Sequence, residues 1–278
     1  MICWMFPGQP LRHDQPFPVT PGTEEIIALC RTATGLDPVT WQDDGILSGE
    51  HVRLQIYGTA FSLLRARLHK AADQSPGVVL EHSMGIYAAL AACGAISEHD
   101  ALEMTARVGI TLAKMSQHGS YALGCIIGLA QEPVEAIASG HGVYVANYNT
   151  SSHFLLAGER SRILPAMEEC GAAGAFSVSV FDCDAPLHTP LVEEVAAELG
   201  QVFSDYRYAE PQVPLLEHIT QEQLSVSRVP GFLLDELLRP VWWQHSYAAA
   251  RRLGAARFVE VGAGTALTKF NRWIDSES

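Results

Sequence analysis

The sequence is poor in positive charge. Its 278 residues hold 18 lysines and arginines against 31 aspartates and glutamates, a formal net charge of −13. A chain this acidic suits neither nucleic acid nor an anionic membrane, so neither partner is expected. Paired cysteines are also missing. Six are scattered at positions 3, 30, 93, 125, 170 and 183, with no C-x-x-C. That spacing gives no zinc or redox motif, so no metal is expected. Thiols set in apolar runs fit buried side chains in a reducing cytosol. Apolar runs of membrane-span length are absent, and the start, MICWMFPGQ, lacks the basic residues and cleavage site of a signal peptide. The expected location is therefore cytoplasmic. There are no internal repeats and no low-complexity tract.

What is present is ordinary globular composition, 48% hydrophobic and 18% charged, with length for one large domain or a domain and a subdomain. Arg65, Arg67 and Lys70, and likewise Arg251, Arg252 and Arg257, offer local basic clusters for an acidic protein partner. The better reading of both is as solvated helix faces.

MICWMF is a short apolar strand ended by Pro7-Gly8. Helical spacing covers 23–34 and 50–72. GVVL is a second strand, followed by helices over 85–93 and 98–117. Helices alternating with apolar strands predict a parallel sheet covered on both faces. Between about 120 and 187 the order becomes strand YALGCIIGL, helix EPVEAIAS, strands VYVANYN and HFLLAG, helix SRILPAMEECG and strand AFSVSVFD. That βαββαβ order is ferredoxin-like. Helix 190–202, the segment PQVPLL, helices 231–238 and 243–253, strand RFVEVG and a helix from about 265 complete the chain. The expected fold class is α/β: an α/β-hydrolase-like large subdomain over 1–119 and 188–278, with a ferredoxin-like small subdomain over 120–187.

EHSMG, residues 81–85, sits between strand GVVL and the next helix. A serine at a strand-to-helix turn has its hydroxyl lifted from the sheet, with helix N–H groups and the positive dipole end behind it. Ser83 therefore reads either as a nucleophile, which needs a base within reach, or as a helix N-cap. Among 11 histidines, His188 in DAPLHTPL is best placed, in a Pro-bounded loop where the chain leaves the small subdomain. It reads as that base or as an ordinary loop residue. FPGQ ends the first strand, where loops at strand carboxyl ends line the ligand crevice of an open α/β sheet. The Gln9 and Met84 N–H groups can form an oxyanion hole; the alternative is a simple Pro-Gly turn.

Together these pieces resemble the malonyl-CoA:acyl-carrier-protein transacylase family, which includes the acyltransferase domains of fatty-acid and polyketide synthases. The similarity covers nearly the whole chain. FPGQ opens both. EHSMGIYAALAACGAI stands at the family's G-H-S-x-G elbow and following helix, and Gln55 in LQIYGTAF at its active-site glutamine. VANYNTSSHFLLAGE resembles the subdomain hairpin, usually A-x-x-N and a strand ending in Gly. APLHTPL resembles the F-H-S-P-x-M histidine segment, LLRPVWW the L-x-x-P-V-x-W segment, and EVGAGTALTKF the E-x-G-P-G-x-x-L ending.

The resemblance implies ping-pong acyl transfer through an acyl-Ser83 ester. His188 is then the general base, Gln9 and Met84 the oxyanion donors, and Gln55, His82, Asn147, Arg239 and the Val108 position the substrate-binding residues. It implies no acidic third triad member: a backbone carbonyl near Leu238-Arg239 orients His188. No cofactor is permanently bound; coenzyme A thioesters and the phosphopantetheine of an acyl carrier protein are substrates, and acyl-CoA and acyl carrier protein the partners.

Three positions depart from the family pattern. The elbow glycine is Glu81, expected to point to solvent. The glycine after FPGQ is Pro10, which reshapes the oxyanion loop. The arginine that holds the malonyl carboxylate in malonyl-specific members falls, counted without gaps from Ser83 to Gly109, on Val108. Arg107 is adjacent, but one residue is about 100° around a helix. Losing one partner of a buried ion pair costs about 3–5 kcal/mol, so the expected acyl group is uncharged unless Arg107 or Arg239 substitutes. The alternatives are an acyl hydrolase that clears carrier proteins, a standard malonyl transferase, and a non-catalytic carrier-protein-binding homologue.

Overall fold

The computed structural model describes residues 1–10, 13, 15–42 and 49–277. Four strands, β1 (Ile2–Phe6), β2 (Val78–Glu81), β7 (Leu215–Leu216) and β9 (Arg257–Glu260), form a parallel sheet in the order β7-β2-β1-β9. Side chains alternate across a strand, and the two faces of this sheet have separate cores. Trp4, Phe6 and Val79 enter a large apolar cluster with helices α1 (Thr23–Thr34), α2 (Glu50–Ala71), α3 (Gly85–Ala92), α4 (Glu98–Ala113), α7 (Ala196–Ser204) and α8 (Val229–Leu238). Cys3, Met5, Val78 and Leu80 face the other way, onto α9 (Trp243–Arg252) and α10 (Ala266–Ser276).

The second sheet holds β3 (Tyr121–Ile127), β4 (Tyr144–Thr150), β5 (His153–Glu159) and β6 (Ser177–Cys183). Its order is β6-β3-β5-β4-β8, with α5 (Gln131–His141) and α6 (Arg160–Ala172) packed in a core of their own. The βαββαβ segment thus has the ferredoxin-like order. Its outer strand β8 (Val241–Trp242) comes from the LLRPVWW segment and pairs in parallel with β4. The Trp242 indole stacks on Tyr148 with centroids 3.8 Å apart. One short segment therefore ties the two sheets together.

Helix 190–202 starts differently from expectation. Residues Pro190–Val195 form a 3-10 turn, capped when the Thr189 hydroxyl accepts the Leu191 N–H, and α7 begins only at Ala196. Among the described residues, no helix is long and apolar enough to cross a membrane. The basic clusters are partly neutralised: Arg67 pairs with Glu25 and Glu98, and Arg251 with Asp275.

Candidate active site

The turn after β2 is tight because of Gly85. A Cβ there would lie 2.2 Å from the Phe6 carbonyl oxygen of β1, so α3 can start against the sheet only on glycine. The His82 N–H donates to Phe6 O at 3.0 Å, and the Gly85 and Ile86 N–H groups close the turn onto the His82 and Ser83 carbonyls. Ser83 is left in the left-handed region, φ 56, a conformation a non-glycine residue holds only when its surroundings impose it. The 7–9 loop crosses directly over it: a Cβ on Gly8 would meet Ser83 Cβ at 3.3 Å. The Pro10 ring seats against Gly58 of α2, where a Cβ would be 2.8 Å away.

His188 is brought to the elbow by the C-terminus of α8. The last carbonyls of a helix lack intrahelical partners, and two of them hold this residue. Leu237 O accepts the His188 backbone N–H at 2.8 Å. Glu236 O accepts from Nδ1 at 2.6 Å. Nδ1 therefore carries the proton, and Nε2, 2.7 Å from Ser83 Oγ, is the lone pair that accepts the serine hydroxyl. The orienting carbonyl is thus Glu236, two residues before the expected Leu238-Arg239 step, because the free carbonyls lie inside the last turn rather than beyond it. His188 also has φ 62 and is 5% exposed. Burial pushes its imidazole down to about 3. The negative end of α8 favours the charged form in the opposite sense.

Beneath this pair lie two carboxyls that the sequence reading misplaced or missed. Glu81 does not reach solvent; it is fully buried. Strand parity explains it: Glu81 follows Val79 on the side of the large cluster and pairs in register with Phe6. It is gripped by His218, whose backbone N–H and Nδ1 contact Oε1 at 2.9 and 2.8 Å. Glu236 is fully buried as well, with Oε2 3.8 Å from His188 Nδ1. An acidic side chain therefore adjoins the histidine where none was expected. Burial raises both carboxyls well above the usual range, and burial lowers His218 to about 3. The His218 ring stands edge-on to His188, centroids 5.9 Å apart.

The other candidates divide. His82 Nε2 is hydrogen-bonded to Asn149 Oδ1 at 3.0 Å, and Asn149 Nδ2 continues to His153 at 2.9 Å. The asparagine that contacts His82 is thus Asn149, and in VANYN the A-x-x-N spacing from Ala146 also ends on Asn149. Gln55 donates to Gln9 Oε1 at 3.1 Å, and the two close a cavity of about 10 Å³ lined also by Met84 and Gly85. Gln55 Oε1 lies where a Cβ of Gly109 would be, 2.4 Å away. Val108 is fully buried in the large apolar cluster. Arg107 turns away, to Asp205 and over the Tyr206 ring at 5.5 Å, and Arg239 is exposed at the end of α8.

His218, Glu236 and Asn149 escaped the sequence reading. Glu236 carried a signal: it shares the buried side of α8 with Phe232, Leu233 and Leu237, so it was a glutamate at a core position. His218 follows a two-residue strand and carried none.

Comparison with known proteins agrees with this geometry. A sequence model of the acyl transferase domain matches residues 48–270. The polyketide biosynthesis protein ThaF of Burkholderia thailandensis is 25% identical over 72% of this chain, a match spanning 17% of that protein. The malonyl CoA-acyl carrier protein transacylase of Salmonella typhimurium is 26% identical over 72% of this chain and 66% of its own length. The solved malonyl CoA-acyl carrier protein transacylase of Coxiella burnetii superposes with a TM-score of 0.91 at 24% identity, covering 100% of this chain and 92% of that one.

Proposed function

The chain belongs to the acyl transferase domain family, and from that premise we propose that it transfers an uncharged acyl group between thioesters through an ester on Ser83. The observation that carries this is the line Ser83 Oγ, His188 Nε2, His188 Nδ1, Glu236 O, with contacts of 2.7 and 2.6 Å. It fixes the tautomer in which the imidazole can take the serine proton.

The Ser83 hydroxyl attacks the thioester carbonyl while His188 Nε2 accepts its proton. The Gln9 and Met84 N–H groups, on the loop and the helix start that flank Ser83, hold the oxyanion. Collapse breaks the C–S bond, and His188 returns the proton to the departing coenzyme A thiolate. In the second half, His188 deprotonates the phosphopantetheine thiol of an acyl carrier protein. That thiolate attacks the ester and Ser83 recovers its proton. The names of the transacylase relatives support both the donor and the carrier-protein partner.

The acyl group is read from the clamp position. Val108 lies among apolar side chains, Arg107 is engaged by Asp205, and Arg239 is exposed. A malonyl carboxylate would be desolvated there without a cation, costing about 3–5 kcal/mol relative to a paired one, whereas acetyl loses nothing.

The test is intact-protein mass spectrometry after mixing with acetyl-, malonyl- and medium-chain acyl-CoA, each alone. The expected result is a mass gain with an uncharged acyl group, absent in Ser83→Ala, and discharged by a carrier protein. Loading by malonyl alone would overturn the specificity; free acid released without an adduct would replace the carrier thiol by water as acceptor.

A further inference from the structure

We propose that His188, His218 and Glu236 form a binding site for a divalent transition-metal ion of the zinc type, buried beneath the Ser83–His188 pair, and that filling it switches the enzyme off. One imidazole nitrogen from each histidine and one Glu236 oxygen lie within 4.8 Å of one another, and all three residues are buried. Two histidines and a glutamate are a common zinc ligand set. With metal–ligand bonds of about 2.0–2.2 Å, ligand atoms stand roughly 3.3 Å apart, so the set closes when the side chains turn inward and His188 Nδ1, 3.8 Å from Glu236 Oε2, exchanges its proton and its bond to Glu236 O for the metal, releasing that proton.

Three features point to a cation. His218 Nε2, Glu236 Oε1 and Glu236 Oε2 are buried and have no hydrogen-bond partner among the described residues. Unsatisfied buried polar atoms are uncommon and each asks for a partner. Second, the supporting contacts are already made. Glu81 holds His218 Nδ1, the carboxylate–histidine arrangement that fixes the other nitrogen toward a metal. Third, the charges close. In ionised form Glu81 and Glu236 carry two negative charges, which together balance one divalent cation. Ser83 and His188 keep 7% and 5% exposure, the side from which a cation would enter. The ligands come from three remote segments, so no sequence spacing announces the site.

The inhibition rests on the role given to His188 above; the binding does not. The experiment is metal content per chain after equilibrium dialysis against Zn²⁺, for the wild-type chain and for Ser83→Ala, His218→Asn, Glu236→Gln and Glu81→Gln. The expected result is one equivalent in the wild type and in Ser83→Ala, lost in His218→Asn and Glu236→Gln. Glu81→Gln should weaken affinity about 10- to 100-fold. No binding, or equal binding by all variants through surface histidines, overturns the site. Should the variants fail to fold, cobalt titration of the wild-type chain decides alone: intense visible bands of a four-coordinate nitrogen–oxygen site support it, and their absence overturns it. Acyl transfer that continues unchanged with the site filled overturns the switch, and a chain inactive with every donor still gives the binding result.

Discussion

The front and the rear of Ser83 are built from different chemistry. In front, Gln9, Gln55 and Met84 line the cleft with amides and apolar groups, and Val108 lies in the apolar core beyond them. Behind, Glu81, His218 and Glu236 place two carboxyls and an imidazole in full burial. Neutral front residues suit the uncharged substrate proposed above. The rear lies behind the elbow and adjoins it at His188, through Glu236 and the His218 ring. Recognition and proton handling are thus separated by the elbow itself, and changes on the two sides should fail in different ways.

The largest effect should come at the divide. Ser83→Ala removes the proposed nucleophile and should lower turnover at least about 10⁴-fold, with the fold intact by circular dichroism. Turnover near wild type would show that the front works without the elbow and would end the comparison.

Next comes the rear. Glu81→Ala leaves the His218 backbone N–H and Nδ1 without their buried partner and opens a cavity, so unfolding in urea should show a loss of at least about 2 kcal/mol. A loss of only a few tenths would mean that the grip on His218 is of no structural consequence.

Acid sharpens the contrast further. His188 and His218 are lowered by burial to about 3, and His82 and His153 to about 4. A histidine lowered in the folded state stabilises above its unfolded value, near 6.5, and loses that contribution as pH falls toward the folded value. Glu81 and Glu236, raised by burial, act in the opposite sense, favouring the folded state at low pH. Four histidines outweigh two carboxyls, so stability should fall between pH 6.5 and 4, by about 1.4 kcal/mol per pH unit for each net proton. Glu236→Gln removes one opposing carboxyl and should steepen the fall; a flat profile in both proteins would contradict the burial of these histidines.

Much of this was legible in the sequence. Strands and helices followed from apolar runs and 3.6-residue spacing, and Ser83 and His188 from their turns. Pairing was not legible, because it depends on what remote segments bring. Glu81 was judged as a loop residue near an elbow, yet it closes a strand buried on both faces, where every side chain is inside. His218 stands 137 residues further along the chain. The Asn149 bond to His82 needed only the A-x-x-N spacing taken literally.

The smallest effect belongs to the front. Val108→Arg would put a guanidinium beside Gln55 and Gly109, where a malonyl carboxylate can be met by a bidentate pair. Because Val108 is fully buried, the larger side chain also strains the α2–α4 contact, and overpacking costs about 1–3 kcal/mol. The gain should therefore be modest, roughly tenfold in the ratio of malonyl to acetyl loading, about 1.4 kcal/mol, with total loading reduced. Ratio and total separate the two contributions. A raised ratio with a lowered total assigns specificity to position 108, whereas a lowered total at constant ratio means that malonyl is refused elsewhere in the cleft and that the neutral front is not what selects the acyl group.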